Sequence, residues 1–307
     1  MVLFAHSRAD TTERVLAALK AQSLRPEKLI AFADGARAEA ESAKVDAVRQ
    51  LIESVNWTEL QVIRRESNFG TAKNIISGLD QVFDEFSQAI VIEDDVLPAT
   101  HFHESLCGLL EHYSSNNKVF SVGAYPSILV DALPDYSYDV ILSPRFNAWG
   151  WGTWADRWHG VAEDLQNFKS PFERPEDVPS YAGRDLSTSL AELIKRPGFY
   201  WDLPIALITL HRRQLHALTR DYIVANIGLT SGTHGRAGPG ARRFFERHNL
   251  VKDTVARKLA PASLREDVCE AISKYIDYAS RADRERRPVQ RALRSIWART
   301  RKLRRYV

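Results

Sequence analysis

The sequence predicts an α/β protein, a mostly parallel sheet flanked by helices. Three observations carry that reading. Short apolar runs alternate with amphipathic stretches through the first half of the chain. The run Ala89-Ile90-Val91-Ile92 is continuously apolar, as in a strand buried on both faces. The 307 residues, 44% hydrophobic and 26% charged, have the composition of an ordinary globular protein and leave room for one large domain or two small ones.

Each element follows from local pattern. Val2–Ala5 reads as a strand, and Asp10 with Glu13 as a capping pair for a helix whose apolar face is Val15, Leu16 and Leu19. Leu29–Ala33 is a second strand, closed by Asp34-Gly35. Residues 38–54 suit a helix and Leu60–Ile63 a third strand. Asn68-Phe69-Gly70 turns into the clearest helix, with Ala72, Ile75, Ile76, Leu79, Val82, Phe83 and Phe86 at helical spacing. The strand 89–92 stops at Glu93-Asp94-Asp95. Phe102, Leu106, Leu109 and Leu110 mark another helix, and Val119–Val122 another strand.

The second half is less regular. Residues 143–158 are rich in Trp and Gly, and residues 169–180 hold Pro171, Pro175 and Pro179 and read as a loop. Residues 186–196 look helical, residues 228–240 contain five glycines, and helical segments resume near 249. A division follows: a catalytic domain over 1–248 and a helical extension over 249–307.

The net charge of +3 is uneven. Residues 281–307 hold eleven of the 42 basic residues and two of the 39 acidic ones, a net of +9, which leaves −6 on the other 280. Val289, Leu293, Ile296, Trp297 and Leu303 fall on one helical face of that tail, which suits an anionic membrane surface. The acidic body and the absence of a nucleic-acid motif disfavour nucleic acid as its partner. A helix folded back on its own body is the plainer alternative. No run of about 18 uncharged apolar residues occurs. The start lacks the basic and apolar regions of a secretory signal, and two cysteines make no disulfide framework. The location read from this is cytoplasmic, peripheral on the cytoplasmic face of the membrane.

The chemistry concentrates at Glu93-Asp94-Asp95. In open α/β sheets ligands bind beyond the carboxyl ends of the strands. Three acids at one strand end need compensation, which a divalent cation bridging to a diphosphate supplies. A bare acidic triplet is otherwise a solvated turn with a helix cap. Other stretches join it in order: Phe4-Ala5-His6-Ser7-Arg8, Ala33-Asp34-Gly35, Val91–Val96 with Pro98 and Phe102, Phe146-Asn147-Ala148-Trp149-Gly150-Trp151, Tyr200-Trp201-Asp202 and Gly232-Thr233-His234-Gly235. In order and approximate spacing these six resemble the GT-A-fold glycosyltransferases of the N-acetylglucosaminyltransferase I family and their bacterial relatives, over about residues 2–245.

The resemblance implies a metal-dependent, inverting transfer of a hexosyl or N-acetylhexosaminyl group from a nucleotide sugar, a UDP-sugar, to a hydroxyl acceptor. It implies Mn²⁺ or Mg²⁺ on Asp95, with Asp94 on the ribose or a metal-bound water and Glu93 on donor sugar hydroxyls. Arg8 and Asp34 would hold the base and nearby ribose, and Asp202 would be the general base. His234 and Arg236 lie in the glycine-rich stretch and are candidates for the diphosphate. Trp151 is the candidate sugar platform, since aromatic faces stack on sugar rings. Lys73 and Asn74 open a helix near the nucleotide or are an ordinary solvated first turn. The acceptor would be a glycan or a lipid-linked intermediate of polysaccharide assembly. Two other functions compete: a nucleotidyltransferase on a similar sheet, disfavoured because residues 4–12 contain no glycine, and a membrane-associated scaffold without activity.

Overall fold

The computed structural model describes residues 1–129, 132–195, 201–228, 252–259 and 264–284. Ten strands and eight α-helices follow one another along these residues. The N-terminal part runs β1 (Val2–Ala5), α1 (Ala9–Lys20), β2 (Lys28–Ala33), α2 (Ser42–Glu53), β3 (Glu59–Arg64), α3 (Thr71–Glu85), β4 (Gln88–Glu93), β5 (Val96–Pro98), α4 (Phe102–Tyr113) and β6 (Val119–Gly123). It continues with β7 (Val140–Ser143), β8 (Trp151–Trp154), α5 (Ala155–Gln166), α6 (Asp185–Lys195), α7 (Asp202–His211), β9 (Leu215–Thr219), β10 (Val224–Asn226) and α8 (Glu266–Arg284).

Eight strands form one sheet in the order β3-β2-β1-β4-β8-β6-β9-β7. Strands β3, β2, β1 and β4 pair in parallel, and β6 pairs β9 in parallel. Strand β8 runs antiparallel between β4 and β6, and β7 antiparallel to β9. A small antiparallel pair, β10 with β5, sits beside it. The α/β class, the mostly parallel sheet and the flanking helices are as the sequence predicts.

Strand β1 lies between β2 and β4, so the chain leaves it in one direction for β2 and β3 and returns on its other side for β4. That reversal puts the carboxyl ends of β1 and β4 side by side, with Phe4 opposite Glu93 and the Asp94 N–H donating to the Phe4 carbonyl at 3.0 Å. Such a switch point opens a crevice.

Two hydrophobic layers sandwich the sheet. One joins α1, α2, α4 and α8 through Val15, Val48, Leu106 and Ile272. The other joins α3, α5, α6 and α7 through Leu79, Trp158, Leu190 and Leu207. Helix α8 therefore begins as part of the body, and its Tyr275 hydroxyl pairs with that of Tyr125 at 2.8 Å. Residues 285–307, with the apolar face expected to meet a membrane, lie outside the described residues. Among the described residues no helix is long and apolar enough to cross a membrane.

Several local expectations change. Asp10 does not cap α1: Arg8 is the N-cap and no side chain caps it. Residues 252–259 are irregular, and the described helix beyond them starts at Glu266; residues 249–251 lie outside the described residues. Helix α7 shows no amphipathic pattern because Leu203 to Leu210 are all buried.

Candidate active site at the switch point

A cavity of about 300 Å³ lies beyond β1 and β4, bounded by His6, Arg8, Asp34, Gly70, Glu93 and Asp94 among others. Two helices, α1 and α3, start at its wall with no side-chain cap. Uncapped first turns present backbone N–H groups and the positive end of the helix dipole, an environment suited to an anion. Helix α3 can begin there because Gly70 takes φ of 75°, a left-handed conformation that favours glycine.

Arg8 and the acids after β4 form the charged centre. The Arg8 Nη1 donates to Asp95 Oδ2 at 2.7 Å, and Nη2 donates to Asp94 Oδ1 in a very short contact. Asp94 Oδ2 also accepts the His6 backbone N–H at 3.1 Å. Burial works against the Arg8 charge, but Asp94 and Asp95 outweigh it and raise its pKa. Asp94 is nearly inaccessible, and desolvation raises its pKa although Arg8 and the His6 N–H oppose that. Glu93 is pushed well above the usual carboxylate range, first by desolvation and then by Asp95, Asp94 and Asp202, with Arg8 opposing. Of the three acids it is the one whose neutral form its surroundings favour most strongly.

Asp202 joins this cluster from the far half of the chain. It is the first residue of α7, and its charge is one of those that raise Glu93. Trp201, just before it, packs on Trp151 and Phe146 with ring centroids 6.2 Å apart in each case. The helix is bolted to β9 by Thr209, whose hydroxyl lies 3.2 Å from His216 Nε2, and His216 Nδ1 lies 2.8 Å from the Ser121 hydroxyl. His216 is fully buried, which lowers its pKa to about 3 and keeps it neutral.

Two expected roles need correction. Trp151 has no accessible surface: it is enclosed by Phe146, Trp158 and Trp201 and offers no face to a sugar. Trp149 is the partly accessible ring of that segment, set edge-on to Tyr125 at 4.5 Å. Asp34 borders the cavity, but its oxygens are taken by the N–H groups of Gly35 and Phe69 on Oδ1, and by the Asn68 amide and the Gly70 N–H on Oδ2. Four donors fill its ordinary acceptor capacity. Its carboxylate positions the 68–70 turn rather than standing free for a base.

Asn74 also proves structural: its Oδ1 accepts from Arg65 Nε at 3.0 Å. Lys73 sits over the Phe69 ring, 4.3 Å from its centroid. Sequence reasoning passed over His6, whose N–H holds Asp94 and whose Nε2 lies 3.0 Å from the Gly35 carbonyl. It also passed over Gly228. A Cβ there would collide with Asp95 Oδ2 and would lie 2.6 Å from Arg8 Nη1, so a larger residue would have to displace the Arg8–Asp95 pair. His6 had one available signal: it directly follows a strand that ends at the switch point. His234 and Arg236 lie outside the described residues.

The Asp94–Asp95 pair is a hard oxygen donor set of the kind that suits Mn²⁺ or Mg²⁺. In this structure Arg8 supplies the positive charge beside the pair. Among the described residues no three His, Cys, Asp or Glu side chains form a ready metal cage.

No family model matches the chain, and no curated protein does. Among solved structures it is similar to a mannosyltransferase from Pyrobaculum calidifontis in complex with GDP-Man and Mn²⁺, at 13% identity and a TM-score of 0.43, over 92% of this chain and 73% of that one. It is similar to mouse xyloside xylosyltransferase 1, at 12% identity and 0.43, over 83% and 95% of the two chains. It is also similar to S. aureus TarS 1–349, at 8% identity and 0.44, over 74% and 60%. At these values the likeness is one of outline, and function has to come from the residues of the cavity.

Proposed function

We propose that the protein is a GT-A-type glycosyltransferase, moving a sugar from a nucleotide-sugar donor to a hydroxyl acceptor. One observation carries the reading: a cavity at the sheet's switch point is lined by Arg8, Glu93 and Asp94, Arg8 forks onto Asp94 and Asp95, and Asp202, from a separate element, lies near enough for its charge to act on Glu93. Uncapped helix starts and Arg8 suit a diphosphate, and an adjacent carboxylate suits activation of an incoming hydroxyl.

In this reading Asp95, with Asp94, holds Mn²⁺ or Mg²⁺, which stabilises the charge on the departing diphosphate when bound. Glu93, whose neutral form is favoured by its surroundings, hydrogen-bonds a donor sugar hydroxyl. Asp202 takes the proton from the acceptor hydroxyl, which gives a single displacement with inversion. Trp149 takes the stacking role first assigned to Trp151, and His6 positions Asp94. The base is uracil, the sugar a hexosyl or N-acetylhexosaminyl unit, and the acceptor a glycan or lipid-linked intermediate. His234 and Arg236 contact the diphosphate. The basic tail over 281–307 brings the enzyme to the anionic cytoplasmic face of a membrane, beside a catalytic domain over 1–248. A thermal-shift panel of UDP- and GDP-sugars with and without Mn²⁺ tests the core of this reading. Stabilisation that requires both nucleotide sugar and Mn²⁺ supports it through linkage, and no response to any nucleotide sugar removes it.

A further inference from the structure

The Arg8 guanidinium occupies both carboxylates that a divalent ion would need. We propose that Arg8 is an internal counter-ion that competes with the divalent cation for Asp94 and Asp95, so that ion binding and the Arg8 fork are mutually exclusive. The inference rests on the reading of Asp94 and Asp95 as the ion's ligands.

Three features support it. Arg8 reaches the two acids through different nitrogens, Nη1 to Asp95 and Nη2 to Asp94, so one fork spans the whole pair. Its backbone is held by contacts that do not depend on the guanidinium. The Arg8 carbonyl accepts from the Thr12 N–H at 3.0 Å and from the Thr11 and Thr12 hydroxyls at 3.2 and 2.7 Å, yet the side chain is 27% accessible. The guanidinium is therefore the part that can leave. The acids would keep their places without it, because Asp94 still accepts the His6 N–H and the Asp95 carbonyl accepts the Ile227 N–H at 2.8 Å.

Charge closes the argument. Asp94 and Asp95 are largely enclosed, with side chains 3% and 14% accessible, so an unpaired state of both is costly. One cation must replace another, and the pair does not stand empty between them. Arg8, once displaced, remains beside a cavity suited to an anion, where a guanidinium forks onto phosphate.

The test is a titration of the 307-residue chain with Mn²⁺ alone, followed by the paramagnetic resonance signal of free Mn²⁺. Arg8→Ala is expected to bind Mn²⁺ at least about tenfold more tightly than the wild type, a difference of ~1.4 kcal/mol. Arg8→Lys, which keeps the charge and the fold but cannot fork across both acids, should fall between them. Asp95→Asn should abolish binding in every background. Equal or weaker Mn²⁺ affinity in both Arg8 variants overturns the proposal, as does absence of Mn²⁺ binding in all chains. Mn²⁺-dependent nucleotide-sugar binding by the wild type, with Mn²⁺ affinity unchanged in both Arg8 variants, would overturn this inference while leaving the transferase reading intact. Tightened Mn²⁺ affinity in Arg8→Ala, with no nucleotide-sugar binding by the wild type, would do the reverse.

Discussion

In the N-terminal half, Arg8, Asp34 and Asp94 are held at the cavity by charge and by backbone N–H donors. In the second half, Asp202 is carried on a helix buried along nearly its whole length and backed by Trp151, Trp158, Trp201 and Phe146. The first region can exchange partners, because carboxylates and a guanidinium can re-pair. The second cannot move without opening an aromatic core. In the proposed reading, a donor site that binds and releases a charged group is set against a rigid mount for the proposed base.

The contrast can be broken from either side. The largest effect is expected at Asp202. Asp202→Asn should leave nucleotide-sugar binding intact and lower turnover by about 10²- to 10⁴-fold, the range for loss of a general base. Parallel calorimetry and rate measurement check it, and wild-type turnover would remove Asp202 as base. Next comes Trp151→Ala, expected to cost about 3–5 kcal/mol in urea denaturation, as for a deleted core aromatic. If Trp151 were a sugar platform instead, the loss would appear in KM with stability unchanged.

His216 sharpens the comparison through pH. Its pKa is lowered to about 3 by burial, below the ordinary value of 6.5. The unfolded chain therefore binds a proton between these values that the folded chain refuses. Native stability from this group is complete above pH 6.5 and falls as pH drops towards 3, with a slope of about 1.4 kcal/mol per unit. Denaturation over that window should be less pH-dependent in His216→Gln by up to that slope. The smallest effect belongs to Thr209→Val, which unpairs His216 Nε2 and should cost about 1–2 kcal/mol of stability while leaving donor affinity unchanged. A change in donor affinity equal to that at Asp95 would erase the division between the regions.

The sequence makes the first region far more legible than the second. Strands β1 to β4 and their helices repeat one pattern, and the acidic triplet directly follows the continuously apolar run 89–92, so position and chemistry coincide. Arg8 is visible as a charged residue after β1, but its partners are about 86 positions away and depend on β1 lying beside β4. Asp34 shows the limit of residue type: its identity fits a ligand, and only the fold reveals four donors already upon it. Trp151 shows another. A Trp between glycines suits both a sugar platform and a packed strand, and the antiparallel insertion of β8 between β4 and β6 decides for the core. Helix α7 has no polar face to set its period, so its single acid, Asp202, gives no hint of which way the helix points.

Calorimetric titration of nucleotide sugars with Mn²⁺ into the wild type, Asp95→Ala and Asp202→Asn tests the transferase reading most directly. The expected result is that at least one nucleotide sugar binds the wild type and Asp202→Asn alike and fails to bind Asp95→Ala. Undiminished binding by Asp95→Ala, or no binding by the wild type, would contradict it.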